Sequence, residues 1–275
     1  MTMRVGRIPY VNCYPVYGAI DREIVPLDAE LVTGVPTVLN KGMADGSIDV
    51  SVVSAVEYAR DCERYLLLPD VSISCDGPVR SVMLFSKRPA PDLGGLRVLV
   101  SRSSMTSVAL LDLLFDHVWQ ADPEFVPGDA EVGDVARFAD DAHEARLVIG
   151  DAALLLHGSP AYPYQYDLGL EWKRWTGQPF VFAVWVAQRT TPVAESLRVH
   201  AGLIASRDWG VANRSVLASQ AASTTGIAYD VCDEYLSGLD YRLSYGHLAG
   251  LTEFFRRLVL DGQVPDGRLA FLPAA

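Results

Sequence analysis

Several kinds of feature are missing from this sequence, and each absence removes a class of function. None of the four cysteines, Cys13, Cys62, Cys75 and Cys232, belongs to a CxxC pair, and the five histidines show neither HxxxH nor HExxH spacing. A disulfide framework and a metal site are therefore not expected. A lone cysteine with no base partner in view reads as a small core residue rather than a nucleophile. Apolar runs are short: Phe180 to Ala187 comes nearest, far below the roughly 18 to 20 residues that cross a bilayer. The chain starts Met1, Thr2, Met3, Arg4 and enters at once a strand-like run, Val5 to Val11, that contains Pro9 and no long h-region. That start is unlike a signal peptide, so a cytoplasmic location is expected. Also missing are GxGxxG in a nucleotide-binding context, GxxxxGK[ST] and GxSxG, which takes the best support from NAD, ATP and serine-hydrolase chemistry.

What is present is ample material for a core. Of 275 residues, 50% are hydrophobic and 21% charged, a balance that suits one or two compact domains. The formal charge of −11 argues against nucleic acid or an anionic membrane as partner, because both are held largely by Lys and Arg. A negatively charged small molecule would have to be gripped locally against that field. Nothing in the sequence specifies an oligomeric state.

The first half alternates strand and helix signals. Arg4 to Val11 reads as a strand, Val16 to Asp21 as a short helix and Ala29 to Thr33 as a strand; Val35 to Gly42 reads as a helix with Pro36 in its first turn, where a missing N–H costs nothing. Ile48 to Val53 suits a strand buried on both faces. A second set follows: strand Leu96 to Ser101, helix Thr106 to Val118, strand Ala145 to Ile149 and helix Asp151 to His157, with Gln120 to Asp134 as loop carrying at most one strand. Phe180 to Ala187 is a strong strand, and from Val193 the chain reads as mainly helical. Such units predict an α/β protein with largely parallel sheets. Ser81 to Lys87 and Phe180 to Gln188 flank an inserted block, the layout of a two-lobed binding fold with two crossover hinge strands. The expected lobes are 1–86 with 188–275, and 87–187, and a ligand would sit where strand ends meet helix starts.

Candidate residues cluster at such junctions. Asn12 follows the first strand and either caps the next helix or turns its amide into the cleft. Ser54, with Glu57 three residues on, has a capping-box pattern. A helix start also offers N–H groups to a carboxylate without adding formal charge. Ser103 to Ser107, which includes Thr106 and Ser107, repeats that arrangement in the second block. Asp151 reads first as an N-cap and otherwise as a group that orders polar atoms in the cleft. Arg80 and Ser81 lie at the start of the first crossover strand, where Arg80 reads as a solvated arginine or as a partner for a carboxylate. Tyr162, Tyr164, Tyr166, Trp172, Trp175 and Phe180 read mainly as packing.

Read together, these segments resemble the chorismate dehydratase family of the futalosine route to menaquinone, relatives of the type II periplasmic-binding-protein fold. The resemblance runs nearly end to end. It is carried by RIPYVNCYPVY at Arg7 to Tyr17, GVPTVLNKGMADGSIDVSVVSAVEYAR at Gly34 to Arg60, GPVRSVMLFSKRP at Gly77 to Pro89, SSMTSVALL at Ser103 to Leu111, LVIGDAAL at Leu147 to Leu154 and YDLGLEWKRWTGQPFVFAVW at Tyr166 to Trp185. One departure is Ala55, where members often carry a second serine after the position of Ser54; the change removes a hydroxyl and keeps the backbone N–H.

The resemblance implies conversion of chorismate to 3-[(1-carboxyvinyl)oxy]benzoate and water, with neither metal nor redox cofactor. It implies that Asn12 orients the reacting atoms, with a substrate carboxylate as a candidate base because an amide is too weak. Ser54, Thr106 and Ser107 would bind carboxylates, and Asn40, Ser81 and Asp151 would complete the pocket. Rival readings are the sister 1,4-dihydroxy-6-naphthoate synthase, marked by an SPCPND-like string where this chain has YVNCYP; a non-catalytic carboxylate-binding protein, expected to carry a leader; and a regulator's sensing domain, expected to carry a helix-turn-helix before Val5.

Overall fold

In a computed structural model, which describes residues 2–130 and 142–273, the chain divides into two compact units. The first comprises Met1–Ser74 with Val181–Ala275, the second Cys75–Phe180.

The first unit starts with β1 (Met3–Arg7), a 3-10 turn at Val11–Cys13 and the single-turn α1 (Tyr14–Tyr17), followed by β2 (Ala29–Thr33), α2 (Pro36–Asp45), β3 (Val50–Ser54), α3 (Ala55–Arg60) and β4 (Tyr65–Cys75). Pro36 opens α2 as its pattern predicts, and Gly46, in the left-handed region at φ 77°, stops it. Every residue of β3 is buried, in accord with an apolar run that has no solvent face. The strand expected over Arg4 to Val11 stops at Arg7, and the helix expected over Val16 to Asp21 starts earlier, at Tyr14. Tyr10 to Cys13 tightens into the turn that Pro15 prepares, since proline suits a first helical turn and not a strand interior.

The second unit holds β5 (Val82–Ser86), β6 (Arg97–Ser101), α4 (Met105–Leu114), which runs on as a π-helical turn over Phe115–Trp119, β7 (Glu124–Gly128), β8 (Ala145–Ile149), α5 (Asp151–Leu156), β9 (Tyr164–Asp167) and α6 (Leu168–Thr176). Part of the stretch read as loop, residues 131–134, lies outside the described residues. The chain then re-enters the first unit as β10 (Phe180–Gln188) and ends with α7 (Val193–Ala212), α8 (Arg214–Thr225), α9 (Tyr229–Ser237) and α10 (Tyr245–Leu260).

Among the described residues each unit has one five-stranded sheet, in the orders β2-β1-β3-β10-β4 and β7-β6-β8-β5-β9. The sheets are mixed rather than largely parallel. Parallel pairs join β1 with β2 and β3, and β6 with β7 and β8; β10 runs antiparallel to β3, and β5 antiparallel to β8 and β9. A parallel neighbour needs a crossover connection, and β5 and β10 are each entered directly from the other unit, so no crossover precedes them. Val82–Ser86 pairs within the second sheet, whereas the expected lobe boundary after residue 86 placed it in the first.

The longest strand among the described residues, β4, has no counterpart in the elements read from the sequence and runs through Pro69 and Asp70. It stands at a sheet edge, where proline is tolerated. Asp70 takes φ 53°, and α7 secures the break: Arg207, 1% exposed, donates to the Asp70 carbonyl and carboxylate, and a His200 ring nitrogen lies 2.8 Å from the Pro69 carbonyl. All four cysteines are buried, and none is in a disulfide. Among the described residues no helix is long and apolar enough to cross a membrane.

Two features brace the region around Asn12. Tyr17 donates to the Gly6 carbonyl at 2.8 Å and accepts from Trp185 Nε1 at 3.0 Å, tying α1 to β1 and β10; burial pushes the Tyr17 phenol pKa up. Gly210 of α7 lies directly on Pro15, whose Cα and C atoms stand 2.5 and 2.7 Å from the place a Cβ would take. Gly210→Ala is therefore expected to cost about 1 to 3 kcal/mol through overpacking, read as a lower midpoint in urea denaturation. An unchanged midpoint would mean that α1 moves freely on α7.

Arg4 secures the start of β1 to the turn before β3: its backbone N–H and Nε reach Asp49 Oδ2 at 2.8 and 3.0 Å, and Nη2 reaches Oδ1 at 2.7 Å. The guanidinium holds the Asp49 carboxyl below the usual carboxylate range. A carboxyl lowered on folding contributes stability above its unfolded pKa, about 3.9, and loses it as pH falls through the folded value. The stability gap between wild type and Asp49→Asn should be present at pH 7 and close below about pH 3.9; a gap that is constant with pH would remove this assignment.

Candidate active site

In the first unit, the candidates gather at one end of the sheet. Strands β1 and β3 run parallel with Gly6 beside Ser51, so the chain leaving β1 toward Asn12 and the chain leaving β3 at Ser54 emerge from the same edge. That edge, beyond the carboxyl ends of parallel strands, is where open α/β sheets bind ligands.

Asn12 sits in the 3-10 turn and is half-buried. It caps nothing: the residue before the turn is Tyr10, the residue before α1 is Cys13, and neither position makes a side-chain cap bond. Its Oδ1 is buried with no hydrogen-bond partner among the described residues. The local fold therefore presents a polar atom that its own packing does not use, and a buried acceptor is favourable only when a donor reaches it.

Ser54 ends β3 and caps α3, its Oγ accepting Glu57 N–H at 3.3 Å, while Asn40 of α2 donates Nδ2 to the same oxygen at 3.3 Å. Asn40 is 5% exposed and Ser54 7%. With both lone pairs engaged, the Ser54 hydroxyl has its proton to offer, which is the polarity a carboxylate requires. The Glu57 carboxylate accepts from Tyr65 OH at 3.3 Å, and burial pushes its pKa up.

The second unit assembles its own group. Strands β6 and β8 are parallel and β5 is antiparallel to β8, so the ends of β6 and β8 and the start of β5 share one edge. Ser104, rather than a residue further along the run, caps α4: its Oγ accepts Ser107 N–H at 3.2 Å and donates to Ser107 Oγ at 2.7 Å. Thr106 and Ser107 are buried. Ser81 is buried, and its carbonyl accepts Gly150 N–H at 2.8 Å, which brings it to the β8–α5 junction beside Asp151. Asp151 is not the N-cap expected of it; Gly150 holds that position at φ 67°, a conformation glycine adopts freely, and the half-buried Asp151 becomes the first residue of the helix.

One residue of this region escaped the sequence reading. Asp167, buried at the end of β9, caps α6 through Leu170 N–H at 3.0 Å and also accepts N–H groups from Val79 at 3.0 Å and Arg80 at 2.6 Å. Burial pushes its pKa up, opposed by these backbone donors. An aspartate directly before the amphipathic run Leu168 to Thr176 was the available signal. Arg80 contributes a backbone in the left-handed region, φ 63°, a feature that neither reading of its side chain, solvated or paired with a carboxylate, contains.

A cavity of about 340 Å³ in the first unit, between α3, α10 and residues 264–269, is walled by Tyr58, Phe255, Val259 and Val264 and contains none of these candidates.

Replacing Ser54 with Ala removes the α3 cap and the acceptor for Asn40. About 1 kcal/mol of stability should be lost in denaturant titration, and an unaltered midpoint would show that neither bond contributes.

The family model described as menaquinone biosynthesis matches residues 3–259. A protein of Thermus thermophilus named chorismate dehydratase is 31% identical over 271 residues, covering 93% of this chain and 95% of that protein. One of the same name from Campylobacter jejuni is 28% identical over 186 residues, 66% of each. Among solved structures, a protein of Archaeoglobus fulgidus aligns with TM-score 0.79 at 17% identity, over 96% of this chain and 98% of that one. An alkanesulfonate-binding protein from Xanthomonas axonopodis aligns with TM-score 0.66 at 15% identity, over 96% and 94%. These likenesses show a two-lobed, periplasmic-binding-protein-like α/β fold. The match along almost the whole sequence, together with the Thermus relative, shows that this chain belongs to the menaquinone biosynthesis family.

Proposed function

We propose that this chain is a chorismate dehydratase, a hydro-lyase that converts chorismate to 3-[(1-carboxyvinyl)oxy]benzoate and water. The relatives' names support the substrate class. The observation that carries the reading at the site is the buried, unpartnered Oδ1 of Asn12 at the same sheet edge as Ser54, whose hydroxyl is left as a donor. Chorismate has matching chemistry: a ring hydroxyl to donate to Oδ1 and two carboxylates to accept from hydroxyls.

In this reading Asn40 and Ser54 of the first unit, and Ser81, Thr106, Ser107 and Asp151 of the second, are the residues that bind the diacid. The ring C3 proton is removed, the C4 hydroxyl departs as water, and aromatisation drives the elimination. The reaction is redox-neutral. Asn12 holds the departing hydroxyl and the proton in register, a substrate carboxylate takes the proton, and the enzyme contributes mainly orientation and charge stabilisation. A cytoplasmic location belongs to the same proposal.

Purified protein incubated with chorismate should form the enol-ether benzoate, followed by absorbance and mass. Asn12→Ala should lower kcat by about a hundredfold or more with a much smaller change in KM, the pattern of a contact made chiefly in the transition state. Binding of chorismate without turnover by the wild type would leave a non-catalytic carboxylate binder, and full turnover by Asn12→Ala would remove the role given to that residue.

A further inference from the structure

Helix α6 grips the segment that links β4 to β5 at several places. Lys173 reaches Asp76 at 2.5 Å, and Gly169 lets the segment approach: a Cβ there would stand 2.7 Å from Cys75 Sγ and 2.8 Å from the Gly77 carbonyl. The carboxylate of Asp167 takes the N–H groups of Val79 and Arg80 as well as that of Leu170 in its own helix.

The held segment is strained. Ser81 N–H donates to the Val79 carbonyl at 2.7 Å across Arg80, whose φ is 63°. A bond across one residue at positive φ is a γ-turn of the rare, strained hand, and such a conformation persists in a residue with a Cβ only where its surroundings over-determine it. The Asp167 carboxylate supplies that constraint, because it fixes the two peptide N–H groups immediately before Ser81.

We propose that Asp167 is a positioning residue for substrate binding: by holding Val79 and Arg80 it maintains the turn that keeps Ser81 at the ligand-binding edge of the second sheet. The inference rests on the chorismate reading above, in which Ser81 binds the substrate. Asp167 itself touches no substrate in this scheme.

The variant that separates the two duties of Asp167 is Asp167→Ser. Serine is a good N-cap and preserves the start of α6, but its single oxygen cannot also accept both linker amides. KM for chorismate should rise about tenfold, equivalent to about 1.4 kcal/mol, while kcat changes less than about twofold. Adding Arg80→Gly should return KM toward the wild-type value, because glycine takes positive φ without strain. A purely structural role would instead lower the active fraction, reducing kcat at constant KM, with no rescue by Arg80→Gly; that result, or an unchanged KM, overturns the proposal. Should the serine variant fail to fold, Asp167→Asn, which retains one acceptor oxygen, is expected to shift KM in the same direction by a smaller factor. Amide hydrogen exchange at Val79 and Arg80 gives a readout independent of activity: slow in the wild type and fast in Asp167→Ser. Equal rates would refute the clamp even in an active enzyme. A wild type that does not dehydrate chorismate would refute the functional reading and the effect on KM, with the clamp still decided by exchange.

Discussion

Peptide N–H groups that leave a buried strand must find acceptors, and in this protein the side chains that supply them organise the candidate residues of each unit. Ser54 serves α3, Ser104 serves α4, and Asp167 serves α6 together with the linker before β5. Asn12 stands at an equivalent junction, after β1, and serves no helix. A residue type suited to capping that caps nothing, with a buried acceptor unsatisfied, is the part of this edge whose chemistry the fold itself leaves unused. That contrast distinguishes Asn12 from the serines around it better than residue type does.

The charge distribution accords with the proposed reading, in which neutral groups carry much of the recognition. Against a formal charge of −11, many arginines are engaged in holding the scaffold: Arg4 with Asp49, Arg207 with Asp70 and Asp208, Arg214 with Asp233, Arg256 and Arg257 with Glu253. Arg207 is the most deeply placed of these and secures the irregular middle of β4. Hydroxyls and peptide amides can bind a carboxylate without a buried cation and its desolvation cost. The same devices bind anions at helix starts in general, so the reading needs no unusual chemistry.

The mixed sheets follow from the chain passing twice between its two units. Each passage delivers a strand that enters its sheet without a crossover helix and so lies antiparallel to its neighbour. This places the start of β5 beside the end of β8 and joins Ser81 to Gly150, residues far apart in the chain. The strained turn at Arg80 lies immediately before that start.

Local pattern alone determined a good deal. Ala29–Thr33, Ala145–Ile149 and Phe180–Gln188 are strands where their apolar runs predict them, Pro36 opens α2, and Ser54 caps α3, because periodicity and capping are properties of a few neighbouring residues. The fold class was legible through the order of such elements. Three things were decided only by tertiary structure. Strand β4 runs through Pro69 and Asp70 because it has an edge position and the support of Arg207 and His200 from α7. Asp151 yields the cap to Gly150, whose positive φ is set at the point where β8 gives way to α5. Asp167 reaches Val79 and Arg80 across 88 and 87 positions of chain. Each depends on hydrogen-bond partners distant in sequence, and a local pattern contains no information about which distant groups will arrive to satisfy a buried donor or acceptor.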